Sequence, residues 1–289
     1  MQQVVIIGAG KVGQTLGFLL NRSSRYRIAA VCCRNQKHSR DAVKFVGRGA
    51  KSFSNPVKAV ARGDIILITT PDNAIKKICN LLSEKANLNG KIIIHCSGNF
   101  SSAVLKNARL KGAYVGAMHP LQTFAAPSEL IRIFPGTYCT YEGTSQIMAL
   151  IKDIIKSIRG VPVPIGPDMK PLYHAAGVVL SNYLVTLMDI GRRFLICSGF
   201  NPSEAAKALL PLAQGTLANI AKLGTIGALT GPIARADAGI ITDHIKAIRC
   251  FLPAYVRLYK ELGRHTIRLA LEKKSISAEQ ARRMQKLFD

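Results

Sequence analysis

VVIIGAGKVGQTLGFLL, residues 4–20, is the stretch that decides the fold. Its first four residues are apolar and β-branched, which is typical of a buried parallel strand. Gly8, Gly10 and Gly13 follow with G-x-G-x-x-G spacing, and apolar residues then recur at a helical period. The glycines therefore lie between a strand and a helix, where a dinucleotide-binding turn requires them.

Each glycine has a separate task in such a turn. Gly8 permits the tight turn, Gly10 lets a pyrophosphate approach the backbone, and Gly13 lets the helix pack closely on the strand. The first helical turn, with Lys11 and Val12, offers free N–H groups to the phosphates. We therefore predict a nucleotide site here, and the alternative is a tight turn without a ligand.

The end of the second apolar run, Arg27–Cys33, indicates which nucleotide is bound. An NAD enzyme places Asp or Glu there to bind the ribose hydroxyls. This chain has Arg34 and Asn35, and the first carboxylate is Asp41. An Arg guanidinium pairs well with a 2′-phosphate. The pattern favours NADP, with Arg34 and Asn35 at the cofactor, over the alternative of a solvated basic helix start.

The charge balance is strongly basic, with 40 Lys and Arg against 16 Asp and Glu and a formal net charge of +24. Nucleic-acid binding is therefore one hypothesis. The basic residues are spread along the chain, without long runs or aromatic interleaving, so we consider this hypothesis unlikely and prefer an attraction for anionic ligands.

The seven cysteines form no C-x-x-C pair and their number is odd, which favours reduced thiols and a cytoplasmic location. The chain enters a core strand at once and has no apolar run of about 18 residues, so we expect neither a signal peptide nor membrane association. No ligand spacing suggests a metal site.

Apolar strand-like runs alternate with helical patterns as far as the Pro- and Gly-rich stretch 160–168, which predicts a parallel α/β sheet. Beyond it the patterns are helical. We therefore predict a dinucleotide-binding domain at 1–166 and an all-helical substrate and dimerisation domain at 167–289. Residues 171–197 are predicted as one long helix. It is apolar on nearly every face and must be covered, so we expect a homodimer through the helical domain.

Polar residues follow the strand ends at Thr70-Pro71-Asp72, His95-Cys96-Ser97-Gly98 and His119-Pro120-Leu121-Gln122. Ligands of open α/β sheets bind at this edge. We predict that Thr70, Pro71 and Ser97 contact the cofactor and that Ser97 and His119 also reach the substrate. The alternative is that the histidines are structural.

A second set of candidates lies in the helical half. Lys170 and His174 lie on one polar face of the long helix, and Asn182 borders it. Buried polar residues need partners, so this face points either into the interdomain cleft or into a helix–helix contact of a dimer. Arg235 follows a Gly-Pro turn and could bind a substrate carboxylate with two hydrogen bonds. The alternative for Arg235 is an ion pair with Asp237 that stabilises the loop.

These motifs together resemble a bacterial family that joins a Rossmann-like domain to a C-terminal helical domain of unknown function. The resemblance rests on stretches found at positions 8–13, 70–72, 95–98, 119–124, 173–187, 209–220 and 229–237: GAGKVG, TPD, HCSG, HPLQTF, YHAAGVVLSNYLVTL, LLPLAQGTLANI and LTGPIARAD. It implies an α/β fold with an N-terminal doubly wound Rossmann-type parallel sheet, a C-terminal all-helical domain, and NADP as the cofactor. Where the family has Gly, this chain has Ala236.

More distantly, the layout is similar to pyrroline-5-carboxylate reductases, deazaflavin-dependent NADP reductases, prephenate dehydrogenases and 6-phosphogluconate and β-hydroxyacid dehydrogenases. The last group uses a Lys four residues before an Asn. If Asn182 is that Asn, the position holds Val178, so that route of hydroxyacid oxidation is in doubt.

The hypothesis is an NADP-dependent oxidoreductase that acts on a small, anionic substrate in the interdomain cleft. His119 or His174 would handle the proton, Ser97 and Asn182 would position the substrate, and Arg235 would bind its negative group. We expect His119, His174 and Arg235 to line one cleft at the nicotinamide. A non-catalytic NADP(H)-binding sensor is the alternative function.

Overall fold

The computed structural model describes residues 1–47 and 49–289. These residues divide into two compact units, Met1–Asn182 and Tyr183–Asp289. The sequence placed the boundary at residue 166, one helix earlier. The helix that follows residue 166 groups with the first unit, because its first turns contact the strand ends of the sheet.

The first unit is built on a single sheet, in which the described residues form eight strands in the order β3-β2-β1-β4-β5-β6-β7-β8. The strands are β1 Gln2–Ile7, β2 Tyr26–Cys32, β3 Lys51–Phe53, β4 Ile65–Ile68, β5 Ile92–His95, β6 Tyr114–Pro120, β7 Tyr138–Gly143 and β8 Val161–Pro164. All neighbouring pairs are parallel except β6 and β7. The predicted Rossmann-type fold class is confirmed.

Helices cover both faces of this sheet. They are α1 Lys11–Arg22, α2 Gln36–Val46, α3 Pro56–Val60, α4 Asp72–Lys85, α5 Lys106–Leu110, α6 Pro127–Ile133, α7 Met148–Ser157 and α8 Lys170–Leu180. β1 shows why two layers form. Val4 and Ile6 belong to a core with α1 and α7, whereas Val5 and Ile7 belong to a second core with α4 and α5. Successive residues of a strand point to opposite faces, so an unbroken apolar run requires cover on both.

The second unit is helical, with α9 Asn182–Cys197, which begins at the last residue of the first unit, α10 Pro202–Ala228, α11 Ala238–Phe251, α12 Val256–Glu272 and α13 Ala278–Gln285. Its core includes Ile241, Ile267 and Met284, from α11, α12 and α13. Ser277 and Gln280 form a capping box at the start of α13. No residue of α9 is buried, and Ala205 is the buried residue of α10.

Three details of the sequence prediction are wrong. β3 was missed because it is a three-residue edge strand. β7 runs antiparallel to β6, so the sheet is mixed. The predicted long helix 171–197 is two helices divided at Ser181.

Among the described residues, no helix combines the length and the apolar character needed to cross a lipid bilayer.

Candidate functional site

A cavity of about 610 Å³ lies at the carboxyl ends of β1, β2 and β4. This is the point where the strand order reverses about β1, which is where open α/β sheets bind ligands. The cavity is lined by five of the predicted cofactor residues: Gly8, Gly10, Arg34, Thr70 and Pro71. No carboxylate is among the described residues that line it.

The glycine turn suits a phosphate group. Gly8 has a φ of 124°, which favours glycine, and a Cβ there would lie 2.7 Å from the Thr69 carbonyl carbon. A Cβ on Gly10 would meet nothing within 4 Å, so the backbone at Gly10 is open to the cavity. The first turn of α1 has neither a capping side chain nor an acidic residue. Its N–H groups are therefore free for an anion.

Sequence reasoning missed five polar residues of the cavity, which are His38, Ser54, Thr69, Asn73 and Lys77. Asn73 and Lys77 are four residues apart on α4 and so share one face of the helix. That spacing, directly after Thr70-Pro71-Asp72, was a usable signal. Ser54 follows β3, the strand that was missed, so its position was not visible in the sequence.

Other predicted cofactor residues lie outside this lining. Gly13 packs against the turn itself, since a Cβ there would lie 2.0 Å from the Gly8 carbonyl oxygen. Asn35 caps α2, where its side-chain oxygen accepts from the N–H groups of residues 37 and 38. Lys11 and Val12 open α1, and their predicted role rests on backbone N–H groups.

Ser97, predicted to contact both cofactor and substrate, is the centre of a hydrogen-bonded turn after β5. Its hydroxyl donates to Asp72 Oδ2 at 2.8 Å and accepts from the N–H groups of Asn99 and Phe100. Its own N–H donates to His95 Nδ1 at 3.1 Å. A substrate would have to replace one of these bonds, so this geometry favours a structural task for the hydroxyl.

His95 is fully buried and supports the same turn. Nδ1 accepts from Ser97 N, and Nε2 donates to the Ser101 carbonyl at 3.1 Å. Burial lowers the pKa of His95 to about 4, against the smaller opposing effect of the Ser101 hydrogen bond. His95 is therefore a neutral structural histidine at neutral pH.

The structure brings His119 and His174 together at Gly98. Their rings are 6.0 Å apart and nearly perpendicular. A Cβ on Gly98 would lie 2.7 Å from His174 Nδ1 and 3.0 Å from His119 Nε2. His119 Nδ1 is 2.9 Å from the Tyr173 hydroxyl. Burial, followed by the charge of Lys170, lowers the pKa of His119 to about 4.

Two predicted substrate residues are not placed in this cluster by any described contact. Asn182 is an exposed residue at the start of α9. Arg235 lies in the second unit and pairs with Asp237 at 3.3 Å, as the alternative interpretation expected. Their roles at the substrate stay predictions.

The loop of Arg235 contains the predicted departure from the family pattern. Ala236 adopts a φ of 57°, in the left-handed region that favours glycine. The glycine of the family pattern therefore suits this backbone better than alanine does. Among the described residues, no group of three or more His, Cys, Asp or Glu could hold a metal ion.

Residues 1–120 match the model of a Rossmann-like domain, and residues 137–266 match the model of DUF2520, a domain of unknown function. The chain thus joins these two domains, and the predicted resemblance is confirmed. A search of curated proteins found no significant match.

The fold is shared with solved structures. Protein TM1727 from Thermotoga maritima is 22% identical, with a TM-score of 0.74 over 94% of this chain and 99% of that one. BF3122 from Bacteroides fragilis, a candidate NADP oxidoreductase, is 21% identical, with a TM-score of 0.74 over 92% of this chain and 98% of that one. Pyrroline carboxylate reductase of Plasmodium falciparum, a structure with NADP bound, is 13% identical, with a TM-score of 0.56 over 100% and 98%.

Proposed function

We propose that this chain, a Rossmann-like domain joined to a DUF2520 domain, is an NADP-dependent oxidoreductase of a small, anionic substrate. The observation that carries the proposal is the cavity at the sheet edge, which extends from the glycine turn to Arg34 and has no carboxylate among its described lining residues. The structural neighbours that are named for NADP, or contain it, support the same cofactor.

The cavity residues fit the cofactor at two places. The open backbone at Gly10 and the first turn of α1 would hold the pyrophosphate. The guanidinium of Arg34 would bind the 2′-phosphate as a fork. When bound, NADP(H) supplies or takes up the hydride.

We assign to His119 the proton transfer that accompanies hydride transfer. Its Nδ1 is engaged by the Tyr173 hydroxyl at 2.9 Å, whereas that hydroxyl is 3.4 Å from the His119 carbonyl. The shorter contact favours a Tyr173 O–H that donates to Nδ1, which leaves the proton of the neutral ring on Nε2, facing Gly98. A neutral imidazole at that place can donate a hydrogen bond to a substrate oxygen or nitrogen.

Exchanging Arg34 for Asp is expected to reverse or abolish a preference for NADPH over NADH. A hydrogen bond to a charged group contributes about 1.5–3 kcal/mol, so NADPH affinity should fall roughly tenfold to a hundredfold. Isothermal titration calorimetry with both nucleotides measures this directly. Equal affinities of the wild-type protein for NADPH and NADH would contradict the cofactor assignment.

Arg40→Asp is the matched control, because it changes the charge by the same amount as Arg34→Asp. Arg40 is an exposed residue of α2 and does not line the cavity. Its nucleotide preference should stay that of the wild type. A similar loss in both variants would mean that the overall basic charge, and not a contact of Arg34, attracts NADPH.

Turnover distinguishes an enzyme from a sensor. NADPH oxidation should be screened against ketoacids, imines and a deazaflavin. Activity on one class supports the oxidoreductase, whereas tight NADPH binding without turnover on any of them favours the alternative of a regulatory protein.

We further propose that the protein is a homodimer formed through its helical part. α9 has no buried residue although it is largely apolar, and Val185 and Leu212 are 70% and 67% exposed. A largely apolar helix without a buried residue is rarely left in water, and a second copy of the same chain could cover it.

Light scattering at micromolar concentration should therefore give twice the chain mass of 31.3 kDa. Leu212→Glu should shift the protein towards the monomer, because it would bury a charge in the interface. Leu110→Glu changes a residue that is 81% exposed in the first unit and serves as the control. A monomeric wild-type protein would remove this proposal.

A further inference from the structure

Lys170 is fully buried, although it carries an ammonium group. Burying a charge is costly unless the charge finds partners, and burial accordingly lowers the pKa of Lys170. The nearby carboxylates of Glu142 and Asp72 act in the opposite direction. Because burial of this ammonium group is unfavourable, its contacts are the place to look for a function.

The ammonium bonds to the turn after β5. Lys170 Nζ donates to the Ser97 carbonyl at 3.0 Å. The Ser97 N–H donates to His95 Nδ1, so this residue is held from both sides of its backbone. Gly98, which touches the two histidines, comes next in the chain.

The same helix start supplies the other side of the cluster. Tyr173 and His174 lie three and four residues after Lys170 on α8, which places all three on one face. The Lys170 bond therefore joins the helix that carries His174 and Tyr173 to the turn that carries Gly98. The spacing of the two rings about Gly98 depends on that connection.

The charges around His119 come from several elements. α8 contributes Lys170, Tyr173 and His174, and β5 contributes His95. β7 contributes Glu142, which acts on Lys170 and whose carboxylate accepts from Ser102 N and Oγ. The positive charge of Lys170 disfavours a second positive charge on the His119 ring.

We propose that Lys170 is a positioning residue, whose ammonium fixes the Ser97–Gly98 turn against α8 and so sets the spacing of the His119 and His174 rings about Gly98. A role of Lys170 in catalysis rests on the proposed oxidoreductase activity. The geometric and electrostatic statements concern the free protein and are tested there.

Lys170→Met tests this inference, because it removes the charge and the hydrogen bond and keeps an apolar chain. The imidazole signals of His119 should be followed by NMR as a function of pH in the full-length protein. Loss of the bond to the Ser97 carbonyl should shift the ring signals of both His119 and His174, because the turn between them is displaced. Loss of the neighbouring cation should also raise the pKa of His119. A native-like variant in which the ring signals of both histidines stay in place overturns the proposal.

Lys91→Met is the matched control. Lys91 Nζ also donates to a backbone carbonyl, that of Gly63 at 2.8 Å, but it is absent from the charges that act on His119. This variant should leave the His119 titration unchanged. An equal change in both variants would mean that the effect is a general loss of structure.

The wild-type protein provides a second measurement if Lys170→Met does not fold. The side-chain protons of Lys170 should then show nuclear Overhauser contacts with the Hα protons of Gly98 in the free protein, and the absence of these contacts overturns the proposal. Neither measurement uses a nucleotide or a substrate. A failed NADPH-binding experiment would therefore leave this inference standing, and the reverse also holds.

Discussion

Gly13→Ala is expected to destabilise the protein by at least about 3 kcal/mol, at the upper end of the cost of overpacking. The added Cβ would lie 2.0 Å from the Gly8 carbonyl oxygen and 2.6 Å from Thr69 Oγ1, so the backbone of the turn has to move. The gain of about 1 kcal/mol from replacing a helical glycine with alanine is too small to offset this. Urea unfolding of the two proteins measures the difference.

Gly10→Ala is the control, and we expect it to keep the stability of the protein but to weaken NADPH binding. Its Cβ would meet no protein atom within 4 Å, so stability should stay near that of the wild type. The methyl group enters the cavity, however, and NADPH affinity should fall about tenfold, equivalent to about 1.4 kcal/mol. If Gly13→Ala were as stable as the wild type, the close packing of helix on strand would be wrong.

Gly98→Ala should lower turnover roughly a hundredfold, because small displacements of catalytic groups have effects of this size. The Cβ would lie within 3.0 Å of atoms in both histidine rings, and side-chain rings can move where a backbone cannot. The fold should therefore persist while the rings separate. The measurement is the rate on the best substrate of the turnover screen, together with the circular dichroism spectrum.

Gly166→Ala controls for the added methyl group, because its nearest contact would be an ordinary 3.8 Å. The imidazole NMR signals of His119 and His174 should shift in Gly98→Ala and stay in place in Gly166→Ala. Wild-type rates and signals in Gly98→Ala would contradict the role assigned to this pair.

The fold could be predicted from the sequence because its signals are local. The apolar run at 4–7, the glycine spacing and the alternation of patterns depend on neighbouring residues. The edge strand Lys51–Phe53 and the antiparallel direction of β7 carry no such signal, since a short strand has few residues and direction depends on the partner.

The site was predictable in part for the same reason. Arg34 follows β2 and His119 is the last residue but one of β6, so sheet topology alone brings them to one edge. Lys170 and Tyr173 were harder to assign, because their partners are 73 and 54 residues away in the chain. Ser97 was predicted to contact ligands because it follows a strand. Its hydrogen bonds to Asp72 and to the following backbone form only in the folded turn, so the sequence could not show them.

The most direct test of the account is a crystal structure of the protein with NADP⁺. We expect the pyrophosphate at Gly10 and the start of α1, the 2′-phosphate at Arg34, and the nicotinamide ring beside Gly98 and His119. A nucleotide bound in this cavity with its nicotinamide away from His119 would contradict the assigned chemistry. A nucleotide bound elsewhere would contradict the proposed function itself.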